Sequence, residues 1–243
     1  MFSTNSYTKM QQRTQLLIGD EALARLEKAH ILIAGLGGVG GHCLEAIVRA
    51  GIGKITLVDF DVIDITNLNR QILASEKTIG RAKVEVARER VLDINPKIRI
   101  FTHQLKLEKE SVDDFLDRLS DLTAIIDCID QFEAKCQLLS SGYRRKIAVF
   151  SSMGAGRRID PTQVKIADIS NTNRCGLARK IRRKLKEWDI HEGITTVFSE
   201  EMPKKSESND TTIGSISYMP AIFGQMLAGA LIYSLIHPLK NTT

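Results

Sequence analysis

What this chain lacks narrows its chemistry first. Its four cysteines, Cys43, Cys128, Cys136 and Cys175, form no C-x-x-C pair, which removes a zinc ribbon and a thioredoxin-like redox site from consideration. They read as buried free thiols of a reducing, cytoplasmic compartment. The first residues show no basic stretch leading into an apolar one, so no signal peptide is expected. The longest apolar run, Ala221 to Ile236, is short for a membrane span and is interrupted by Gln225; it reads as a buried core helix, and membrane association is not expected. Aromatic residues make up only 5% of the chain, leaving no platform on which single-stranded bases would stack. There is no internal repeat and no low-complexity domain.

What is present is an ordinary soluble composition. The chain has 243 residues, of which 43% are hydrophobic and 26% charged, enough for one large α/β domain with an appendage. The net charge of +5 permits an anionic partner without proving one. The stretch from Ala29 to Asp61 organises the rest. Ile31 to Ala34 is a continuous apolar run, as in a strand buried on both faces of a parallel sheet. Gly35, Gly37 and Gly40 then spell G-x-G-x-x-G, with Gly38 inside the turn, where that strand enters a helix. Such a turn lets a nucleotide phosphate approach the backbone and meet the helix N-terminus. Ile55 to Val58 forms the next strand, and Asp59 follows it, placed to accept hydrogen bonds from ribose hydroxyls.

Residues 1–12 are polar and expected to be mobile, and Gln15 to Leu26 has helical spacing. Val62 to Arg70 is too polar for a core strand and reads as a functional loop. Helical patterns over Gly80–Asp93, Ser111–Leu119 and Phe132–Tyr143 alternate with strand patterns at Ile98–Thr102, Thr123–Ile126 and Ile147–Phe150. This alternation predicts an α/β, Rossmann-like, doubly wound, mostly parallel sheet. Ligands of such sheets bind beyond the carboxyl ends of the strands, where the glycine turn, Asp59 and Asp130 would meet. The expected division is a nucleotide-binding core over 13–160 and a C-terminal extension over 161–243. That extension holds a strand at Gln163–Ala167, a helix over Leu177–Trp188, a mobile loop at 201–212 and the final apolar helix. The 177–188 helix buries one face and carries Arg179, Lys180, Arg182, Arg183, Lys184 and Lys186 on the other.

Hydride transfer and adenylation share the opening motif. Reaction at the α-phosphate of ATP concentrates more charge than a dinucleotide does, and it calls for cations and a metal. Arg70, Lys83 and Arg13 are candidate phosphate partners, and Asp130 is a hard oxygen ligand suited to Mg²⁺. Each has a plain alternative: Arg70 bridging surface acids, Lys83 solvating a helix, Asp130 capping the helix that follows. As a set they favour ATP over a nicotinamide cofactor.

Five ordered motifs also carry a family resemblance. Gly35-Leu36-Gly37-Gly38-Val39-Gly40, Asp59-Phe60-Asp61, Asn67-Leu68-Asn69-Arg70-Gln71, Gly80-Arg81-Ala82-Lys83 and Asp127-Cys128-Ile129-Asp130 resemble those of the ubiquitin-activating-enzyme-like superfamily, which includes the MoeB, ThiF and HesA types. The resemblance implies that Gly35, Gly37, Gly38 and Gly40 shape the nucleotide turn. It assigns Asp59 to the ribose, with Asp61 beside it, and Asn67, Asn69 and Arg70 to ATP and its phosphates. Lys83 would stabilise the triphosphate and Asp130 would bind Mg²⁺. Arg13 matches an arginine that family dimers insert into the neighbouring subunit's site, which implies a homodimer. Gln131 departs from the asparagine common at that point.

The paired C-x-x-C motifs usual in MoeB- and ThiF-like enzymes are missing. Gly154-Ala155-Gly156, Asp160-Pro161-Thr162, Val197-Phe198-Ser199-Glu200 and Gly214-Ser215-Ile216-Ser217 instead resemble the branch that dehydrates threonylcarbamoyladenosine in tRNA. Arg174-Cys175-Gly176-Leu177 departs from the turn expected there. The resemblance implies adenylation of the threonine carboxylate, ring closure by the substrate's own urea, tRNA as partner and no obligatory ubiquitin-like protein. Under it the basic helix acquires tRNA phosphates as a use, with Arg144, Arg145, Arg157 and Arg158 as extensions. The competing readings are adenylation of the C-terminal glycine of a ubiquitin-like or sulfur-carrier protein, an NAD-dependent oxidoreductase, and a silent nucleotide-binding scaffold.

Overall fold

The structure, a computed structural model, describes residues 4–204 and 213–238, with side chains from Lys9 onward. In chain order the elements are α1 (Thr4–Ile18), α2 (Asp20–Lys28), β1 (His30–Ala34), α3 (Gly38–Ala50), β2 (Lys54–Val58), α4 (Lys83–Ile94), β3 (Arg99–His103), α5 (Val112–Asp117), β4 (Ala124–Asp127), α6 (Phe132–Arg144), β5 (Ala148–Ser152), β6 (Val164–Asp168), α7 (Gly176–Lys186), β7 (Thr195–Ser199) and α8 (Tyr218–Ile236). The seven strands form one sheet in the order β3-β2-β1-β4-β5-β7-β6. Only β6 runs against its neighbour; β7 is parallel to β5. The order reverses beside β1, the switch point at which doubly wound sheets bind ligands.

β1 is buried at all five positions because helices cover both faces, which is why its sequence shows no alternation. Its side chains nevertheless divide: Ile31 and Ile33 enter the core shared with α3, α4 and α8, and Leu32 and Ala34 the core beneath α5 and Leu138 of α6. α7 buries Ala178, Ile181 and Leu185 against Cys136, Leu139 and Phe198. α8 packs along α3, and the approach is close: a Cβ on Gly224 would stand 2.4 Å from the carbonyl oxygen of Val39.

The N-terminal expectation is corrected. Residues 4 to 18 are helical, anchored where Gln11 Nε2 donates to the carbonyl of Arg49 at 3.1 Å. The pattern over Gln15–Leu26 is two helices, broken at Gly19, whose φ of +81° only glycine adopts readily. Thr195–Ser199, not anticipated as a strand, lies between β5 and β6. The 161–243 segment therefore adds two strands to the same sheet and, through α8, a wall to the same apolar interior. Of the loop expected at 201–212, residues 205–212 lie outside the described residues. α8 is long and apolar enough to cross a membrane by length and composition. Seven of its residues, Met219, Pro220, Phe223, Gly224, Leu227, Ala228 and Leu231, are buried within the fold.

Candidate active site

The carboxyl ends of β1, β2, β4 and β5 open into a cleft of about 1300 Å³. β1 delivers the chain into the glycine turn. Gly35 has a φ of +90°, and a Cβ there would press on the Cys128 carbonyl oxygen at 2.7 Å. A Cβ on Gly40 would overlap the carbonyl oxygen of Gly35 at 1.8 Å, so Gly40 permits the turn rather than lining the cleft. Gly35, Gly37 and Gly38 do line it, at the N-terminus of α3, where unpaired backbone N–H groups favour phosphate.

Asp59, Asp61 and Lys83 form the next layer. The Leu36 N–H donates to Asp59 Oδ2 at 2.6 Å and the Asp61 N–H to Asp59 Oδ1 at 2.8 Å. Asp59 thereby ties the glycine turn to the turn after β2. Burial raises its pKa, while those two donors and Lys83 pull the other way. Lys83 is buried, not a solvated helix residue, and its Nζ meets Asp61 Oδ2 at 2.7 Å on the cleft wall. Arg70 bridges no acid among the described residues; its Nη1 donates to the Thr66 carbonyl and to Asn69 Oδ1, both at 2.9 Å. Asn69 in turn donates to the Ser215 carbonyl at 3.2 Å, so it positions Arg70 from behind the lining. Asn67 lines the cleft and its Oδ1 accepts from the Asp64 N–H.

Asp130 lines the opposite wall, exposed, and does not cap α6. The peptide just before it is held by a buried charge pair. Lys135 Nζ lies 2.6 Å from Asp127 Oδ2 and donates to the Ile129 carbonyl at 3.0 Å. Asp127 Oδ1 accepts the Ile129 N–H at 3.1 Å, and its Oδ2 accepts Ser151 Oγ at 2.5 Å. Cys128 reaches the cleft, but burial pushes its thiol far above the ordinary range; Cys136 is pushed up to about 12. Neither is poised as a nucleophile. Among the described residues no cluster of three metal-ligating side chains exists. Asp130 by itself suits Mg²⁺, which commonly takes one or two carboxylates, waters and substrate phosphates.

Sequence reading gave no place in the cleft to several lining residues, among them Arg157, which it assigned to the tRNA surface. Lys106 follows β3, its Nζ 5.9 Å from the Phe60 ring centroid; Arg157 and Gln71 also line the cleft. Gln71 Oε1 is buried without a hydrogen-bond partner among the described residues. Arg13 is not brought to the cleft. It sits on α1, exposed, two residues from the Gln11–Arg49 contact, at the far end of α3 and roughly 18 Å along that helix from the glycine turn. The basic helix lies beyond the cleft, with only its Leu177 on the cleft wall. Of the four arginines expected to extend its surface, Arg158 is buried and donates to the Gly154 and Gly156 carbonyls, and Arg145 is engaged by Asp113 and Asp117.

Three comparisons bear on this geometry. The model of the ThiF family matches residues 10–243. A tRNA threonylcarbamoyladenosine dehydratase of Bacillus subtilis is 34% identical over 94% of this chain and 95% of its own length. The crystal structure of the Escherichia coli tRNA N6-threonylcarbamoyladenosine dehydratase in complex with ATP superposes with a TM-score of 0.90 at 31% identity, covering 100% of both chains. By contrast, a molybdopterin-synthase adenylyltransferase of Salmonella typhimurium, 35% identical, matches only 58% of this chain.

Proposed function

The chain belongs to the ThiF family, and from that membership we propose that it is an ATP-dependent dehydratase of threonylcarbamoyladenosine in tRNA, acting through adenylation of the substrate's carboxylate. The observation that carries the reading is the likeness to the dehydratases over both halves of the chain. The molybdopterin-synthase adenylyltransferase matches only 58% of the chain.

A carboxylate oxygen of the substrate attacks the α-phosphorus of ATP, and pyrophosphate leaves. A nitrogen of the substrate's urea then attacks the activated carbonyl, and AMP leaves with the former carboxylate oxygen. The net change is loss of water and closure of a ring. The nucleophile belongs to the substrate, in keeping with thiols held protonated by burial. Arg70 and Lys83 neutralise charge on the phosphates, Asn67 and Asp59 hold the nucleoside side of ATP, and the N–H groups of the glycine turn meet its phosphate oxygens. Asp130 would hold Mg²⁺, which when bound would supply positive charge against the triphosphate and the departing pyrophosphate.

Arg13 serves the cleft of a second copy. Arg13, Leu16 and Leu17 share one face of α1 at i, i+3 and i+4, and the two leucines are 81% and 85% exposed. This apolar face supports a homodimer that carries Arg13 into the neighbouring site. The substrate places the enzyme in the cytoplasm, and no ubiquitin-like partner is required. Mass spectrometry of nucleosides from tRNA incubated with protein, ATP and Mg²⁺ tests the reaction. An ATP-dependent loss of 18 mass units from threonylcarbamoyladenosine is expected, and Asp130→Ala should abolish it. Pyrophosphate exchange stimulated by a Gly-Gly-ended carrier protein, with the tRNA unchanged, would transfer the activity to a protein tail.

A further inference from the structure

The cations that this chemistry leaves unused gather on α7. Six of the chain's 34 lysines and arginines lie on it with no acid among its 11 residues. Against 29 acids in the whole chain, the remainder is close to neutral, so the positive charge of this protein is a local feature of one helix.

The six are not equivalent. Arg182 turns inward, its Nη1 donating to the Thr172 carbonyl at 2.8 Å and also to Thr172 Oγ1. Lys184 pairs with Glu187 at 2.7 Å and lies 5.1 Å from the Trp188 ring centroid. Arg179, Lys180, Arg183 and Lys186 are exposed and have no carboxylate partner among the described residues. Arg179, Arg183 and Lys186 recur at i, i+4 and i+7, on one face, where like charges repel and weaken the helix. With Ser170, Arg182 and His191 they line an open groove of about 360 Å³ beside α7. The helix itself joins this groove to the cleft, because Leu177 in its first turn lines the cleft wall. From Leu177 to Lys186 it runs about 14 Å.

We propose that this groove is the docking surface for the RNA strand that flanks the modified nucleotide. Backbone phosphates follow Arg179, Arg183 and Lys186 away from the cleft while the modified base enters past Leu177. The proposal rests on the tRNA reading above and adds where the rest of the substrate sits. Successive phosphates of one strand advance roughly 3.4 Å along a duplex axis, so the stripe meets several of them. The groove offers arginine forks, which match phosphate geometry. It lacks the exposed aromatic anchor that centres a protein–protein contact, which favours nucleic acid over an acidic protein.

The test uses a fluorescent, unmodified anticodon stem-loop RNA and full-length protein. Wild type is compared with R179Q/R183Q/K186Q and with K28Q/K77Q/R88Q, which loses the same charge elsewhere. The groove variant should bind the RNA at least about tenfold more weakly, and its slope of log affinity against log salt should fall by about two, as three lost phosphate contacts require. With modified tRNA its KM for tRNA should rise by a similar factor while kcat and the KM for ATP stay within about twofold. Equal affinity and slope in wild type and groove variant would overturn the proposal, as would an equal loss in the charge-matched control or displacement of the RNA by polyglutamate at matched charge. Wild-type protein that binds the RNA through this groove yet leaves modified tRNA unchanged would sink the dehydratase reading and leave the groove standing.

Discussion

Lys135 sits in an environment rare for a lysine, which is almost never fully buried unless paired. Its side chain is 1% exposed and its partner Asp127 is fully buried. Two of the pair's hydrogen bonds fix Ile129, the residue that precedes Asp130: its N–H donates to Asp127 and its carbonyl accepts from Lys135. Removing one charge strands the other in the interior, a loss of about 3–5 kcal/mol. Lys135→Met should therefore lower the melting temperature by roughly 10 °C, at 2–4 °C per kcal/mol for a chain of this size. Adding Asp127→Leu to it should recover a substantial part of that loss, which thermal denaturation of both variants would read. The cysteines give the opposite kind of residue-scale expectation. A thiol pushed up to about 12 is ionised in only about one molecule in 10⁴ at pH 8, and each pH unit upward multiplies that fraction tenfold. Alkylating agents should leave activity intact near neutrality and act only as pH climbs. Cys128→Ala should keep turnover within about threefold, because no step passes through sulfur; a covalent enzyme–substrate intermediate trapped on Cys128 would refute this.

Two close approaches decide how the elements meet. α3 can start directly after β1 only because Gly40 has no Cβ, and α8 can lie on α3 only because Gly224 has none. Gly40→Ala should abolish ATP binding even where the chain still folds, since the turn must open to accept the methyl group; ATP titration by calorimetry reads this. Gly224→Ala should instead cost about 1–3 kcal/mol of stability, the usual range for overpacking, with ATP affinity nearly unchanged. Elements of this first half were legible in the sequence because their determinants are local. Continuous apolar runs mark β1, β2 and β4, and glycines at fixed spacing mark the turn between β1 and α3. β7 was not legible, because Thr196 and Ser199 are polar yet fully buried, and Thr196 Oγ1 finds a partner, the Ala167 carbonyl, only across the sheet. The same reasoning separates the site residues. Asp59, Arg70, Lys83 and Asp130 announce themselves by position at strand ends and in motifs. Lys106, the place of Arg157 on the cleft wall and the pairing of Asp127 with Lys135 become visible only once the chain is folded.

At the scale of the whole molecule, one copy of the chain cannot bring Arg13 to its own cleft, because α1 is fastened to the far end of α3. If Arg13 is catalytic, it must act on a second copy, and the exposed apolar face around Leu16 and Leu17 is the surface proposed for the contact. A two-fold arrangement satisfies both demands at once, since each subunit lends its α1 and receives its neighbour's. Subunit mixing distinguishes this from a purely local role for Arg13. Arg13→Ala and Asp130→Ala should each be inactive alone, one lacking the lent arginine and the other the resident carboxylate. Mixed in equal amounts and allowed to exchange, half of the dimers become heterodimers, in which one site combines the Asp130 of the first variant with the Arg13 of the second. About a quarter of wild-type activity should return, and it should vanish again when Leu16→Glu and Leu17→Glu prevent pairing. Sites completed within single chains would stay silent in the mixture, however long the subunits were left to exchange.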